Sequence, residues 1–323
     1  MKAITFERYG APAEVLRLVE VPKPVPRGDE VLVAVRAASV NAADWRVVAA
    51  RPFLARFHSG LLRPKRVTSP GADVAGVVEA VGPAVRRLKV GDAVFGDVFR
   101  SNLAGFAEYK CAREGELALK PASASFEEAA AIPLAGTTAL HAVRDVGQVR
   151  PGERVLVMGA SGGVGTYAVQ LARHLGAEVT AVCSTGKAEL ARSLGAHHVV
   201  DYTREDALGG AARYDLILGV NGDRSILDYR RALAPRGRYA MVGGAGGQLF
   251  QALLFGGLLS LGAKKMRVVS SQPVLEDLVH LAELFEAGKL RPVLDRRFPL
   301  AEAAEAIRLV EAGHVAGKVI VTV

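Results

Sequence analysis

The residues best placed to do chemistry are Gly159-Ala-Ser-Gly-Gly-Val-Gly165. They follow the apolar run Val155-Leu-Val-Met158 and precede a segment in which Val164, Ala168, Leu171 and Leu175 recur at helical spacing. Strand, glycine-rich turn and helix in that order are the parts of a pyrophosphate cradle. The glycines let a phosphate come close to the backbone, and the helix start offers unpaired N–H groups and a partial positive charge. Aligned on G-x-G-x-x-G, the match is Ala160-x-Gly162-x-x-Gly165, with alanine at the first glycine. Ser161, Gly162, Gly163, Val164 and Gly165 are the residues expected to hold a dinucleotide there.

The next strand of such a unit decides which dinucleotide. An acid about 20 residues past the glycines bonds the ribose hydroxyls of NAD. Here that strand runs into Cys183-Ser-Thr-Gly-Lys187, with no acid before Glu189. Two hydroxyls and a lysine suit a 2′-phosphate, which a carboxylate would repel. Ser184, Thr185 and Lys187 therefore predict NADPH, although Ser184 is also well placed to cap the following helix. Tyr202, at the end of a third strand, is expected against the adenine or the phosphate, with a solvent-facing side chain as the other reading.

Stepping outward, the elements that must position these groups alternate strictly from about residue 122. Strands are expected at Val179–Cys183, His198–Asp201, Tyr214–Val220, Arg238–Val242 and Met266–Ser270, with helices at Lys187–Leu194 and Ile226–Leu233 between them. Strictly alternating elements imply a parallel, doubly wound sheet. Before that point the chain reads as short strands punctuated by Pro and Gly, the pattern of a compact barrel or partly open sheet. Helices are expected at Pro133–Val146, Val274–Ala287 and Leu300–Ala312. A last strand, Lys318–Val323, finds no partner in the alternating region and is expected to rejoin the N-terminal one. The apolar stretch Leu249–Ala263 is broken by glycines and too short to span a bilayer; lid, dimer contact and membrane contact are the readings open for it.

Composition bounds the rest. The chain has 323 residues, is half apolar and carries a formal net charge of +8, with 35 glycines. Its basic residues are scattered and not interleaved with aromatics, so a nucleic-acid partner is not expected. Cys111 and Cys183 are the two cysteines, too few for a disulfide framework or a cysteine zinc site. The start, Met1-Lys-Ala-Ile-Thr-Phe-Glu7, lacks the apolar core of a secretory signal, and a cytoplasmic location is expected.

Three further groups remain: Ser39-Val-Asn41 with Asp44, Pro70-Gly71-x-Asp73-x-x-Gly76, and Gly136-x-Thr138-Ala139. Alone, Asn41 and Asp44 read as turn residues. Together with Val90-Gly-Asp92, the glycine turn and Gly317-Lys-Val319, they make the whole chain resemble a zinc-free medium-chain dehydrogenase/reductase of the quinone oxidoreductase type. Asn41-Ala-Ala-Asp-Trp45 and the segment to Pro64 look closest to the chloroplast-envelope type and its bacterial relatives. The zinc branch carries a cysteine near 41–44 and a histidine near 72; here stand Asn41, Asp44 and Ala72, and no metal is expected.

The resemblance implies an α/β protein with a discontinuous GroES-like β-rich catalytic domain (1–121 and 271–323) and a doubly wound Rossmann domain (122–270). It implies Asn41, Asp44 and Thr138 for the catalytic site, Asn221 with Gly243 and Gly244 at the nicotinamide end, and Lys318 reaching the cofactor. The implied activity is NADPH-dependent hydride transfer to quinones or α,β-unsaturated carbonyls without zinc. A zinc-independent alcohol or ketone oxidoreductase and an NADPH-binding regulatory protein are the rival readings. A homodimer pairing through Met266–Ser270 is implied as well. No residue is an evident proton donor; Tyr9, Trp45, Arg46 and His58 are the candidates.

Overall fold

The computed structural model describes residues 1–51, 53, 56, 59–210, 213–243, 260–270 and 274–323. Gly244, His58, and residues 249–259 of the apolar stretch lie outside the described residues. The chain forms two units, Met1–Leu134 with Pro273–Val323, and Ala135–Gln272.

In the first unit β1 (Lys2–Thr5) and β2 (Arg17–Glu20) form an antiparallel pair. β3 (Glu30–Val40), β4 (Asp73–Val81), β5 (Ala93–Asp97), β6 (Tyr109–Arg113) and β7 (Leu117–Leu119) build an antiparallel sheet around the long β3, which pairs with both β4 and β6. The alternation of Val31, Val33 and Val35 on β3 buries one face against Val74, Val78, Val94 and Leu117. A second cluster joins Phe6, Val40, Val48, Phe106, Ile307 and Val319.

The chain then builds the second unit from β8 (Arg154–Met158), β9 (Glu178–Cys183), β10 (His198–Asp201), β11 (Tyr214–Gly219), β12 (Leu233–Met241) and β13 (Lys265–Val268). These strands are all parallel, in the order β10-β9-β8-β11-β12-β13. That is the doubly wound nucleotide-binding order, with its reversal between β8 and β11. Its central strands read as continuous apolar runs because both faces are covered. The Tyr229 and Tyr239 rings stack at 4.7 Å in the core. Two strands complete the first unit: β14 (Leu294–Pro299) pairs parallel with β15 (Lys318–Thr322), and β15 pairs antiparallel with β3.

Three elements differ from the sequence expectation. Residues 122–134 belong to the first unit, so the division falls at Leu134 and not at residue 121. The reason is the helix Phe126–Ala131, capped by Ser125 and packed by the fully buried Ala129, Ala130 and Ala131 onto β3, β4 and β15. The helix expected over Pro133–Val146 is α-helical to Leu140 and continues as a wider π turn, His141–Val146. The segment after Asn41 is a helix, Ala42–Ala49, and not a turn.

Candidate active site

In the first unit a buried polar nest forms where β3, β4 and β15 meet the helix Ala42–Ala49. Asn41 is the N-cap of that helix and Asp44 its third residue. Asp44 Oδ2 accepts the Asn41 N–H at 2.7 Å, and Oδ1 accepts the Gly71 N–H at 2.8 Å. The carboxylate so ties the helix start to the Pro70-Gly71 turn.

The Asn41 side chain does not cap its own helix. It turns inward, where Nδ2 donates to Asp73 Oδ2 at 2.9 Å and to Ser39 O at 3.3 Å. Asn41 Oδ1 accepts from Lys318 Nζ at 2.5 Å. Lys318 Nζ also donates to Val40 O at 3.2 Å and pairs with Asp73 Oδ2 at 3.3 Å. Ser39 Oγ donates to Asp73 Oδ2 at 2.7 Å, and the Leu134 N–H to Asp73 Oδ1 at 2.9 Å. Lys318 and Asp73 are 2% and 0% exposed, so the pair has almost no water to screen it and relies on these neighbours for satisfaction.

Two carboxyls in the region are displaced from their ordinary range. Burial raises Asp44 from 3.8 to about 7, against the lowering effect of its two N–H donors. Burial pushes Asp97 up as well, and the carboxylate of Asp73, its cross-strand partner, adds to the shift. Sequence reasoning missed Asp97; no motif flags it, and only the β4–β5 register sets the two acids face to face.

Lys318 was expected at the cofactor. Its ammonium is directed at three acceptors of its own unit and fixes Asn41. Asn41 in turn spends both amide hydrogens within the nest. Of the candidate proton donors, Tyr9 Oη donates to Gly60 O at 2.6 Å. Arg46 stands 5.3 Å from the Trp45 ring, and burial lowers its pKa.

Among the described residues there is no group of three or more His, Cys, Asp and Glu suited to a metal ion. The Asp44 and Asp73 oxygens are all engaged by N–H, O–H or ammonium donors.

In the second unit the glycine turn joins β8 to the helix Gly163–His174. Gly159 has a φ of +77°, and a Cβ there would stand 2.9 Å from the Asn221 side chain. The left-handed residue that the tight turn demands is therefore Gly159, which explains why alanine is tolerated at 160. The Ala160 N–H is spent on Val182 O at 3.0 Å. A Cβ on Gly165 would meet Gly159 O at 2.1 Å, so the helix lies against the turn only with glycine at that position. Gly162, the helix N-cap, has no protein atom nearer than 3.7 Å to such a Cβ. The turn is thus closed on the Gly159–Gly165 side and open at Gly162, the form a pyrophosphate needs. Ser161 is buried, while Gly162, Gly163 and Val164 are half-buried.

Asn221 follows β11 at the reversal point, and the Gly243 N–H donates to Gly219 O beside it. At the end of β9, Ser184 makes no side-chain capping bond, and Thr185–Lys187 forms a short 3-10 turn. Tyr202 is 63% exposed and its N–H donates to Cys183 O at 3.2 Å, which brings it to the same edge. Asp201 was not anticipated there. It accepts a hydrogen bond from Thr185 Oγ1 and two from Thr203. These bonds lower its pKa and keep it charged. Its signal was parallel register: Asp201 pairs with Cys183, the residue before the Ser-Thr-Gly-Lys turn. Thr138 is half-buried on the helix Pro133–Leu140, and the chain passes into the second unit within that helix.

Comparison with known proteins agrees with both halves. A family model for the alcohol dehydrogenase GroES-like domain matches residues 27–139, and one for zinc-binding dehydrogenase matches residues 194–321. The chain is 33% identical to the chloroplastic quinone-oxidoreductase QR1 of Triphysaria versicolor over 99% of its own length and 98% of the relative's. The chain is a medium-chain dehydrogenase/reductase of the quinone oxidoreductase type.

It thus belongs to a family of nicotinamide-dependent oxidoreductases with a GroES-like and a Rossmann-like part. Another member, the chloroplastic NADPH-dependent alkenal/one oxidoreductase of Arabidopsis thaliana, is 34% identical over 99% of this chain and 79% of its own. The solved quinone oxidoreductase of Coxiella burnetii superposes with a TM-score of 0.88 at 32% identity, covering 100% of this chain and 99% of the other. The expectation of a cytoplasmic location is corrected by these relatives. Two that match along nearly the whole chain are named chloroplastic, so this chain's composition and opening residues do not fix a compartment. Among the described residues no helix is long and apolar enough to cross a membrane.

Proposed function

We propose that this oxidoreductase uses NADPH to reduce quinones or α,β-unsaturated carbonyls without a metal. The observation that carries the reading is the Asn41–Asp73–Lys318 nest. Where a catalytic metal would need open ligands, every carboxylate oxygen already accepts a hydrogen bond or pairs with Lys318. Without a Lewis acid, conjugate reduction asks less than reduction of a saturated ketone. Bound NADPH supplies a hydride to the substrate's β-carbon or quinone ring. The charge that develops on the carbonyl oxygen is met by hydrogen-bond donors, and solvent delivers the proton. Asn41, Asp44 and Thr138 remain the residues assigned to that site, with Asn41 held in place by Lys318 and Asp73. The names of two relatives, a quinone oxidoreductase and an NADPH-dependent alkenal/one oxidoreductase, support the substrate class.

For the cofactor, Ser161 to Gly165 hold the pyrophosphate, and Asn221, Gly243 and Gly244 line the nicotinamide end. Ser184, Thr185, Lys187 and Tyr202 take the 2′-phosphate, whose charge Lys187 offsets against Asp201. We further propose a homodimer in which β13, an edge strand of the described sheet, pairs with its copy across a two-fold axis.

Loss of the NADPH absorbance band with a panel of enones, quinones and saturated ketones tests the activity. Turnover of the first two classes is expected. Turnover of saturated ketones alone would overturn the reading. Lys187→Ala should weaken NADPH by about ten-fold or more while leaving NADH nearly unchanged. Equal loss for both cofactors would remove the phosphate assignment.

A further inference from the structure

A surface loop of the first unit carries charge and apolar area that nothing in its own fold uses. Between Asp44 and Asp73 the sequence holds six Arg and Lys residues and no Asp or Glu. The whole chain has a net charge of +8, so most of its excess is gathered in this one segment.

Backbone bonds close the end of the segment, Ser59–Arg66, into a loop. Ser59 is fully buried, and its carbonyl accepts from the Lys65 and Arg66 N–H groups at 2.8 and 3.1 Å. Gly60 has a φ of +132°, and a Cβ there would stand 2.3 Å from Arg63 O, so the turn needs glycine. The Gly60 carbonyl accepts from Tyr9 Oη at 2.6 Å, and Pro64 and Val67 are buried at the closing end.

This frame holds two leucines outward among cations. Leu61 and Leu62 are 52% and 88% exposed, and Leu62 is the most exposed large apolar side chain among the described residues. Arg63, Lys65 and Arg66 are exposed and enter no ion pair among the described residues. Arg56 lies 4.9 Å from the Tyr9 ring and 5.1 Å from the Phe53 ring, so the exposed Phe53 adjoins the loop. The neighbouring segment, tied on by the Phe6 N–H to Thr68 O, adds Glu7 and Arg8, whose charges cancel. An isolated exposed leucine needs no explanation, whereas an adjacent pair with an aromatic and unpaired cations marks a contact surface.

We propose that this loop docks on an anionic lipid bilayer. Leu61 and Leu62 enter the headgroup layer, while Arg63, Lys65 and Arg66 lie at the charged surface. The apolar side chains gain by leaving water for the acyl boundary, and each cation near an anionic surface strengthens the partition about five-fold. A second copy of the same loop would set cation against cation, and nucleic acid offers no apolar layer to the leucines. The contact is peripheral and requires no spanning helix.

The test is flotation of the full chain with phosphatidylcholine vesicles, with and without about one-third phosphatidylglycerol. Binding to the anionic vesicles is expected at about 0.1 M salt, weaker at about 0.5 M, with none to phosphatidylcholine alone. Leu61→Ser with Leu62→Ser should reduce the partition about ten-fold or more. Arg63→Gln, Lys65→Gln and Arg66→Gln together should reduce it by about a hundred-fold. Lys89→Gln, Arg236→Gln and Lys289→Gln remove the same charge at exposed positions elsewhere and should cost a few-fold at most. Each variant should keep the parent's thermal midpoint, because every altered side chain is exposed.

No binding to the anionic vesicles would overturn the proposal. Equal losses from the two charge triples would overturn it too, by showing attraction to the protein as a whole. Full binding by the leucine variant would leave adsorption by charge alone and sink the docking loop. Self-association of the parent that the leucine variant abolishes, without vesicle binding, would assign the surface to a second copy. Tighter capture by polyglutamate than by anionic vesicles would assign it to an acidic protein.

Discussion

The two functional regions of this chain are built on opposite plans. The cofactor turn of the second unit works through backbone, with glycines that keep side chains out of the way at the start of a helix. The nest of the first unit works through side chains, with Ser39, Asn41, Asp73 and Lys318 saturating one another in a place water barely reaches. The turn is intolerant of added atoms, whereas the nest is intolerant of missing charges. The first property is steric and local; the second is electrostatic and shared among distant segments.

The largest effect should come from adding atoms to the turn. Gly165→Val would drive a side chain into Gly159 O, and loss of both soluble folded protein and NADPH binding is expected. Gly162→Ala is the control, because its Cβ meets no protein atom within 3.7 Å. It should leave the thermal midpoint unchanged and weaken NADPH by crowding the pyrophosphate. A fall in the midpoint would show that Gly162 is structural and would blur the contrast.

Next comes removal of a charge from the nest. Lys318→Met leaves the Asp73 carboxylate buried without its cation, at a cost of about 3–5 kcal/mol read by urea unfolding. Adding Asp73→Asn should restore part of that stability. A single variant as stable as the parent would mean that water, not Lys318, satisfies Asp73.

The pH dependence of the nest should be milder. Asp44 titrates at 3.8 when unfolded and at about 7 when folded, so the folded state holds the extra proton between those values. Asp44's contribution to stability is therefore fully present below pH 3.8 and is lost as pH rises towards about 7. Activity should run the other way. Below about pH 7 the protonated Asp44 cannot accept from both Asn41 and Gly71, and kcat should fall as that clamp loosens. The inflection should vanish in Asp44→Asn; its persistence there would assign it to another group.

The smallest effect is expected at the edge of the cofactor site. Asp201→Asn removes a half-buried carboxylate beside Thr185, and NADPH should gain a few-fold in affinity over NADH. An unchanged ratio of the two affinities would place the 2′-phosphate away from Asp201.

The difference between the regions also governs what could be read without a structure. The helix Ala42–Ala49 was read as a turn because Asn41 and Asp44 favour turns, although Asn-x-x-Asp is also the spacing of a helix start. The Asp44 carboxylate on the Asn41 N–H is that signal in the fold, while the Asn41 side chain makes its hydrogen bonds inward, to Lys318, Asp73 and Ser39. β14 was missed because its residues are mostly exposed or half-buried and show no apolar alternation. The resemblance placed Lys318 near the cofactor, but the acceptors around its ammonium, Val40 O, Asn41 Oδ1 and Asp73 Oδ2, were not legible in the sequence.

What the sequence determined by itself was whatever depends on neighbours a few residues apart. Alternating strands and helices, a strand–turn–helix cradle within one short stretch, and the Ser-Thr-Gly-Lys turn all have local causes: periodic burial, turn conformation and helix capping. What the tertiary structure alone decided was which charges meet. Asn41 and Lys318 are 277 residues apart, and the Ser39–Asp73 bond and the Asp73–Asp97 facing pair exist only through strand register. Even Gly159, six positions before Gly165 and outside the aligned motif, holds the tight-turn role with Asn221, from the segment after β11, lying against it. Local spacing fixes backbone shape, while compensation of a buried charge depends on whichever segments the fold brings within hydrogen-bond distance.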